Sequence, residues 1–394
     1  MARSTTRTKK INHVAYITPS VLTWAIARSG ENREKIAARL KVKAEDIARW
    51  ESGTPPPFKK AEKLASDLRV PFGLLFLSEP PDLSIKLPDM RRLPVSYRQT
   101  PNFIELVHDA LLRQDWYRDL MRDEEQEPLP FVGRASLRSR VSDVAADIRR
   151  TLGIGVQMRR MSKSQTAYLA ALTLAVEGIG ILVMRSGYVK NNNQRPVSRD
   201  EFQGFALADQ LAPIVFVNAN DFDTAQVFTL IHEVVHIWIN KTGISNPSEG
   251  RENTNAIETF CNQVTAEVLV PAEEFAAAWR TDSGDGRVER LARRYWVSRH
   301  VIINRASDLS LISSAEKNRL KKAIVIPPVK LKRKTEGGPS YFATAAVRAG
   351  NRFTDAVTTQ VARGRLVIRD ASYLLGMSQF SVAKIAIAQS ARAS

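Results

Sequence analysis

Val227-Phe-Thr-Leu-Ile-His-Glu-Val-Val-His-Ile-Trp-Ile239 is the stretch on which the reading of this chain turns. In a helix, His232 and His236 stand at i and i+4 on one face, so both imidazoles reach a single tetrahedral ion. Glu233, offset around the axis, can hold a water bound to that ion. Phe228, Leu230, Ile231, Val234, Val235, Ile237 and Trp238 make the rest of the helix apolar almost all round, which predicts that it is buried. Buried ionisable groups are costly alone, and one divalent cation compensates all three together. The plainer alternative bonds the histidines to backbone carbonyls and pairs Glu233 with an arginine.

A third ligand is expected from the next helical segment, residues 255–271, read as NAIETFCNQVTAEVLVP. Glu258, Asn262 and Thr265 form a polar stripe at i, i+4 and i+7 on an otherwise apolar helix. Glu258 is the expected ligand, Asn262 a residue that orients one from behind, and Glu267 the second choice. Asn255 and Glu258 also match a capping box, in which Glu258 would tie down the helix start. Cys261 beside the stripe reads as a small buried apolar residue and not as a ligand. Between 179 and 218 the period shortens: Ile179–Met184, Gln203–Ala208 and Pro213–Asn218 read as strands of a small sheet, with a polar loop over 241–254.

Phe205-Ala-Leu-Ala-Asp209, Ala212-Pro213-Ile214, Val217-Asn218, the Phe228 to His236 segment, and Ile257-Glu258 with Cys261-Asn262 through Pro271 together resemble the ImmA/IrrE family of metallopeptidases. The resemblance covers about 200–310 and departs at Val264-Thr265, where that family has Phe-Ala. It implies a small α+β zincin-like domain holding one Zn2+, with His232, His236 and Glu258 as ligands and Glu233 as the catalytic base. It also implies a repressor or an antitoxin-like protein as substrate. Leu291 to Arg305 matches the family's continuation, a helix-turn-helix-like stretch in which His300 is read as a surface residue.

Near the N-terminus, Asn32 can cap a helix ending at Leu40, Lys41-Val42 makes a short turn, and Lys43 to Ser52 forms a second helix. Two helices so joined can place the second in the major groove of duplex DNA. Lys43 and Arg49 are the candidate DNA contacts, beside Glu45 and Asp46, which repel phosphate. Residues Gly30 to Leu77 resemble the Xre/Cro/C1 repressor family, in the form fused to ImmA/IrrE domains, and Leu87-Pro-Asp-Met-Arg91 fits that arrangement.

The 394 residues carry a formal net charge of +17, which favours a polyanionic partner. The first hundred contribute 19 Lys and Arg against 10 Asp and Glu. The longest apolar run, Tyr168 to Met184, is interrupted by Glu177, Gly178 and Gly180 and is too short to span a bilayer. The basic N-terminal segment leads into no apolar core, so no signal peptide is expected. The single cysteine excludes an internal disulfide and fits a reducing cytoplasm.

The expected organisation is mainly α. Residues 1–80 form a five-helix repressor-like module, 81–130 a Pro-rich arm and helical connector, 131–310 the metallopeptidase domain, and 311–394 a basic linker and helical C-terminal region. Within that region, Ile368 to Ser378 reads equally as a helix-turn-helix fragment or a core-packing helical pair. Duplex DNA and a protein substrate or partner follow as binding partners, and a membrane does not. The rival expectation is a non-catalytic repressor, or an antitoxin neutralising a toxin such as a PIN-domain ribonuclease, with a structural zinc.

Overall fold

Asn32 accepts the backbone N–H of Lys35 at 3.0 Å and so starts helix α2 (Arg33–Leu40), which ends where Lys41 takes the left-handed conformation. This is one corner of the first of two compact units into which the chain divides, Met1–Lys86 with Arg92–Glu105, and Leu87–Arg91 with Leu106–Ser394. The computed structural model describes residues 13–81, 100–190, 192, 195–245, 256–324 and 346–393.

The first unit also holds α1 (Pro19–Ser29), α3 (Ala44–Glu51) and α4 (Phe58–Leu68), followed by a short 3-10 helix at Phe72–Phe76 in place of the fifth α-helix read from sequence. Val21, Leu22, Ile36, Leu40, Ile47, Leu64 and Leu75 share one buried core. Cations close the C-terminal end of α2: Lys60 Nζ donates to the Leu40 carbonyl at 2.5 Å and Lys63 Nζ to that of Arg39 at 2.8 Å, where the helix dipole is negative.

The second unit is mainly helical around a four-stranded sheet of order β1-β3-β2-β4. Strand β1 (Leu182–Ser186) runs parallel to β3 (Ile214–Asn218), and β2 (Gly204–Leu207) runs antiparallel to both β3 and β4 (Gly243–Ser245). The side chains of β1, β2 and β3 are buried on both faces apart from Arg185, which is why those strands read as continuous apolar runs with no alternation. Val183, Ala206, Val215 and Val217 face a core shared with Leu230, Ile231, Val234 and Val235. On the opposite face Phe205 stacks on Phe216, ring centroids 4.9 Å apart. Strand β4 falls in the stretch read as a polar loop.

Five helices hold the sheet and site in place: α5 (Pro101–Asp123), α6 (Val141–Leu152), α8 (Gln165–Gly178, after the short α7, Val156–Met161), α9 (Asp223–Trp238) and α10 (Ala256–Leu269). Gln114 on α5 donates to the carbonyls of Leu207 and Ala212, pinning the β2–β3 turn. Trp238 at the end of α9 stacks on Phe131, centroids 4.6 Å apart, and donates its indole N–H to Asp147 at 3.0 Å. A stacked pair of this kind adds about 0.5–1.5 kcal/mol beyond its buried area.

Beyond α11 (Ala272–Thr281), α12 (Arg287–Tyr295), α13 (Arg299–Asp308) and α14 (Ser314–Lys322), the chain returns to the sheet with α15 (Asn351–Ala362), α16 (Ile368–Leu375) and α17 (Gln379–Ala393). Buried Glu177 receives the Asn351 amide at 3.1 Å and the Arg352 backbone N–H at 3.2 Å, and thereby caps α15 from another part of the fold. Gly350, at φ +91°, passes so close that a Cβ there would lie 2.7 Å from the Val183 carbonyl oxygen. Among the described residues no helix is long and apolar enough to cross a membrane.

Candidate metal centre

Helix α9 is buried from Gln226 to Trp238 except at Phe228, because it lies between the sheet and α10. His232 and His236, 4% and 1% exposed, meet edge to edge with their Nε2 atoms 3.2 Å apart. From α10, Glu258 brings one carboxylate oxygen to 3.1 Å from His232 Nε2 and the other to 3.3 Å from His236 Nε2. Donors bound at about 2.0–2.1 Å in a tetrahedron stand about 3.3–3.4 Å apart, so these three already have the spacing that a Zn2+ ion requires. Two imidazoles and a carboxylate suit a borderline divalent ion, Zn2+ or Fe2+ among them.

The electrostatics agree with that spacing. Burial pushes the Glu258 carboxyl up, and the hydrogen bonds and charge of His232 and His236 outweigh it, holding it well below the usual carboxylate range. Burial pushes His236 down, while Cys261, Glu258 and Glu233 together raise it well above an ordinary histidine. The cluster therefore favours its carboxylate form and attracts positive charge. Neither histidine Nδ1 has a hydrogen-bond partner among the described residues.

Glu233 is fully buried and turns toward β2. There the strand approaches α9 so closely that a Cβ on Gly204 would lie 3.0 Å from Glu233 Oε1, 2.7 Å from the Phe216 carbonyl oxygen and 2.5 Å from Thr229 Cγ2. Gly243 on β4 plays a similar part for His236, whose Cε1 would be 3.2 Å from an added Cβ. Sequence reasoning missed both glycines, and the available signal was an isolated Gly opening a strand pattern. Gly204→Ala is expected to push β2 off α9 and destabilise the chain by about 1–3 kcal/mol. Urea unfolding measures this, and an unchanged midpoint would mean that the strand has room to shift.

The other sequence-predicted residues divide clearly. Asn262 is exposed, and with both Nδ1 atoms unbonded it orients neither imidazole, because its turn of α10 faces outward at that position. Glu267 is engaged elsewhere, accepting from the Arg305 guanidinium and, at 3.1 Å, from the Ala272 backbone N–H. Asn255, the partner in the capping alternative for Glu258, lies outside the described residues. His300 is exposed on α13. Cys261 is fully buried in the apolar core, as expected, and its Sγ also lies within 4.8 Å of ligand atoms of both His232 and His236.

In the first unit Lys43 and Arg49 are both exposed, at the start and in the last turn of α3. Asp46 accepts the Lys43 backbone N–H at 3.0 Å and pairs with the Arg49 guanidinium, and these two bonds hold its carboxyl below the ordinary range.

Residues 176–307 match a peptidase family model described as the IrrE N-terminal-like domain. The matched span contains all four strands, α9 to α12, and His232, Glu233, His236, Glu258 and Cys261. The match does not extend to the first unit. No curated protein matches the chain.

Proposed function

We propose that this chain is a zinc-dependent endopeptidase with a DNA-binding N-terminal unit, acting in a reducing cytoplasm on a repressor or antitoxin-like protein. The observation that carries the peptidase reading is the convergence of His232, His236 and Glu258, from two helices, at tetrahedral spacing, with Glu233 one residue along the same helix. The match of residues 176–307 to a peptidase family supports it.

An ion held by His232, His236 and Glu258 supplies Lewis-acid polarisation of a peptide carbonyl and of a water. Glu233 takes the proton of that water on its carboxylate and returns it to the leaving amine nitrogen. Its burial, with packing against Gly204, fixes where the carboxylate stands relative to the histidines. Elemental analysis of protein never exposed to chelator tests the reading: about one zinc per chain is expected, and protein containing no divalent metal would refute it.

The DNA-binding reading rests on the +17 net charge and on two helices, α2 and α3, joined by a three-residue turn that leaves Lys43 and Arg49 in solvent. The full chain is expected to bind duplex DNA with an affinity that falls steeply with salt. Lys43→Ala or Arg49→Ala should each weaken binding and lower the salt slope by about 1. Fluorescence anisotropy with a labelled duplex reads both quantities. Failure to bind even at low salt would leave the first unit a protein-docking module.

A further inference from the structure

We propose that Cys261 is itself a donor to the metal, so that with His232, His236 and Glu258 the resting site has four protein donors and no position left for water. Glu258 and Cys261 stand at i and i+3 on α10, which turns both side chains toward the same side of the helix. Glu258 reaches the histidine nitrogens at 3.1 and 3.3 Å, and Cys261 Sγ lies within 4.8 Å of ligand atoms of both rings. All three side chains are buried, His232 4%, His236 1% and Cys261 0% exposed, so the sulfur meets the two rings inside the core.

The consequence is chemical. A closed set of four donors with a thiolate is the composition of structural zinc sites, whereas hydrolytic sites keep one position open. Thiolate with imidazole also selects Zn2+ over hard ions such as Mg2+ or Mn2+. Hydrolysis then requires a water to replace the Cys261 sulfur on the ion, the thiolate taking up a solvent proton as it leaves, so the peptidase is latent while the sulfur stays bound. This latency rests on the peptidase reading; the assignment of Cys261 as a donor does not.

Cobalt(II)-loaded full-length protein provides the test. Wild type is expected to show the thiolate-to-cobalt charge-transfer band in the near ultraviolet together with the visible bands of four-coordinate cobalt. Cys261→Ser and the smaller, apolar Cys261→Ala should keep bound cobalt and lose the charge-transfer band. Their zinc affinity, by competition with a chelator, should fall by more than the ~10–100-fold that loss of an outer hydrogen-bond partner costs. Both variants should cleave substrate faster than wild type. Wild-type protein that shows the visible cobalt bands but no charge-transfer band would overturn the assignment. A charge-transfer band with no cleavage by wild type or by either variant would leave Cys261 a donor and overturn the latency together with the peptidase reading.

Discussion

Glu233→Gln is expected to keep the metal and the fold while reducing peptide hydrolysis by about a thousandfold or more. The side chain is fully buried against β2, where the backbone of Gly204 leaves no spare volume, so only a replacement of the same shape can be accommodated. Glutamine has that shape, and exchanging a buried carboxylate for an amide relieves desolvation, so the unfolding midpoint should stay close to that of wild type. The amide cannot accept the proton of the attacking water, and proton transfer by a positioned side chain contributes about 10^2–10^4-fold. The comparison is best made in the native host, following loss of a candidate repressor and induction of neighbouring genes. Identical behaviour of wild type and Glu233→Gln, with a clear effect of deleting the gene, would make the protein a regulator that acts by binding and whose zinc is structural.

The metal helix was legible because burial and function write on it at different frequencies. Apolar residues surround most of the axis of α9, and the ionisable exceptions in its second half, His232, Glu233 and His236, fall at the spacing of a metal-binding helix. Glu258 was legible for the same reason, as a polar residue on a helix that must otherwise pack. What remained hidden depends on the third dimension. Strand β4 is three residues long and carries no period, so nothing distinguishes it from the polar loop around it. Gly204 and Gly243 matter through what their missing Cβ atoms would meet, which no local pattern encodes. Cys261 is apolar in pattern and comes within reach of both histidines only because α10 packs against α9 there. Asn262 shows the opposite error: it is exposed although Glu258 before it is half-buried and Thr265 after it is fully buried, so the polar stripe does not mark one face turned to the site. Phe72–Phe76 has apolar residues enough for an α-helix, but five residues after a proline leave room only for a 3-10 turn.

Chelation should lower the melting temperature of wild type by about 5–10 °C and leave that of His236→Ala almost unmoved. Without an ion, the cluster sets two imidazole nitrogens 3.2 Å apart beside a carboxylate, all in a region from which water is largely excluded. An ion bound only to the folded chain, with free metal a hundredfold above the dissociation constant, stabilises it by about 2.7 kcal/mol. For a unit of this size each kcal/mol moves the midpoint by about 2–4 °C. His236→Ala removes the donor that faces both Glu258 and the His232 ring, so metal affinity should fall steeply, whether or not Cys261 also binds, and the chelator has little left to extract. Its midpoint should already lie at or below that of chelated wild type, because the cavity left by the imidazole adds its own cost in a core that holds Val235 and Trp238. Differential scanning calorimetry with and without chelator separates the two contributions. A wild-type midpoint indifferent to chelator would show that protein contacts alone satisfy the buried histidines, whereas a chelator-sensitive His236→Ala would mean that the metal sits elsewhere in the chain.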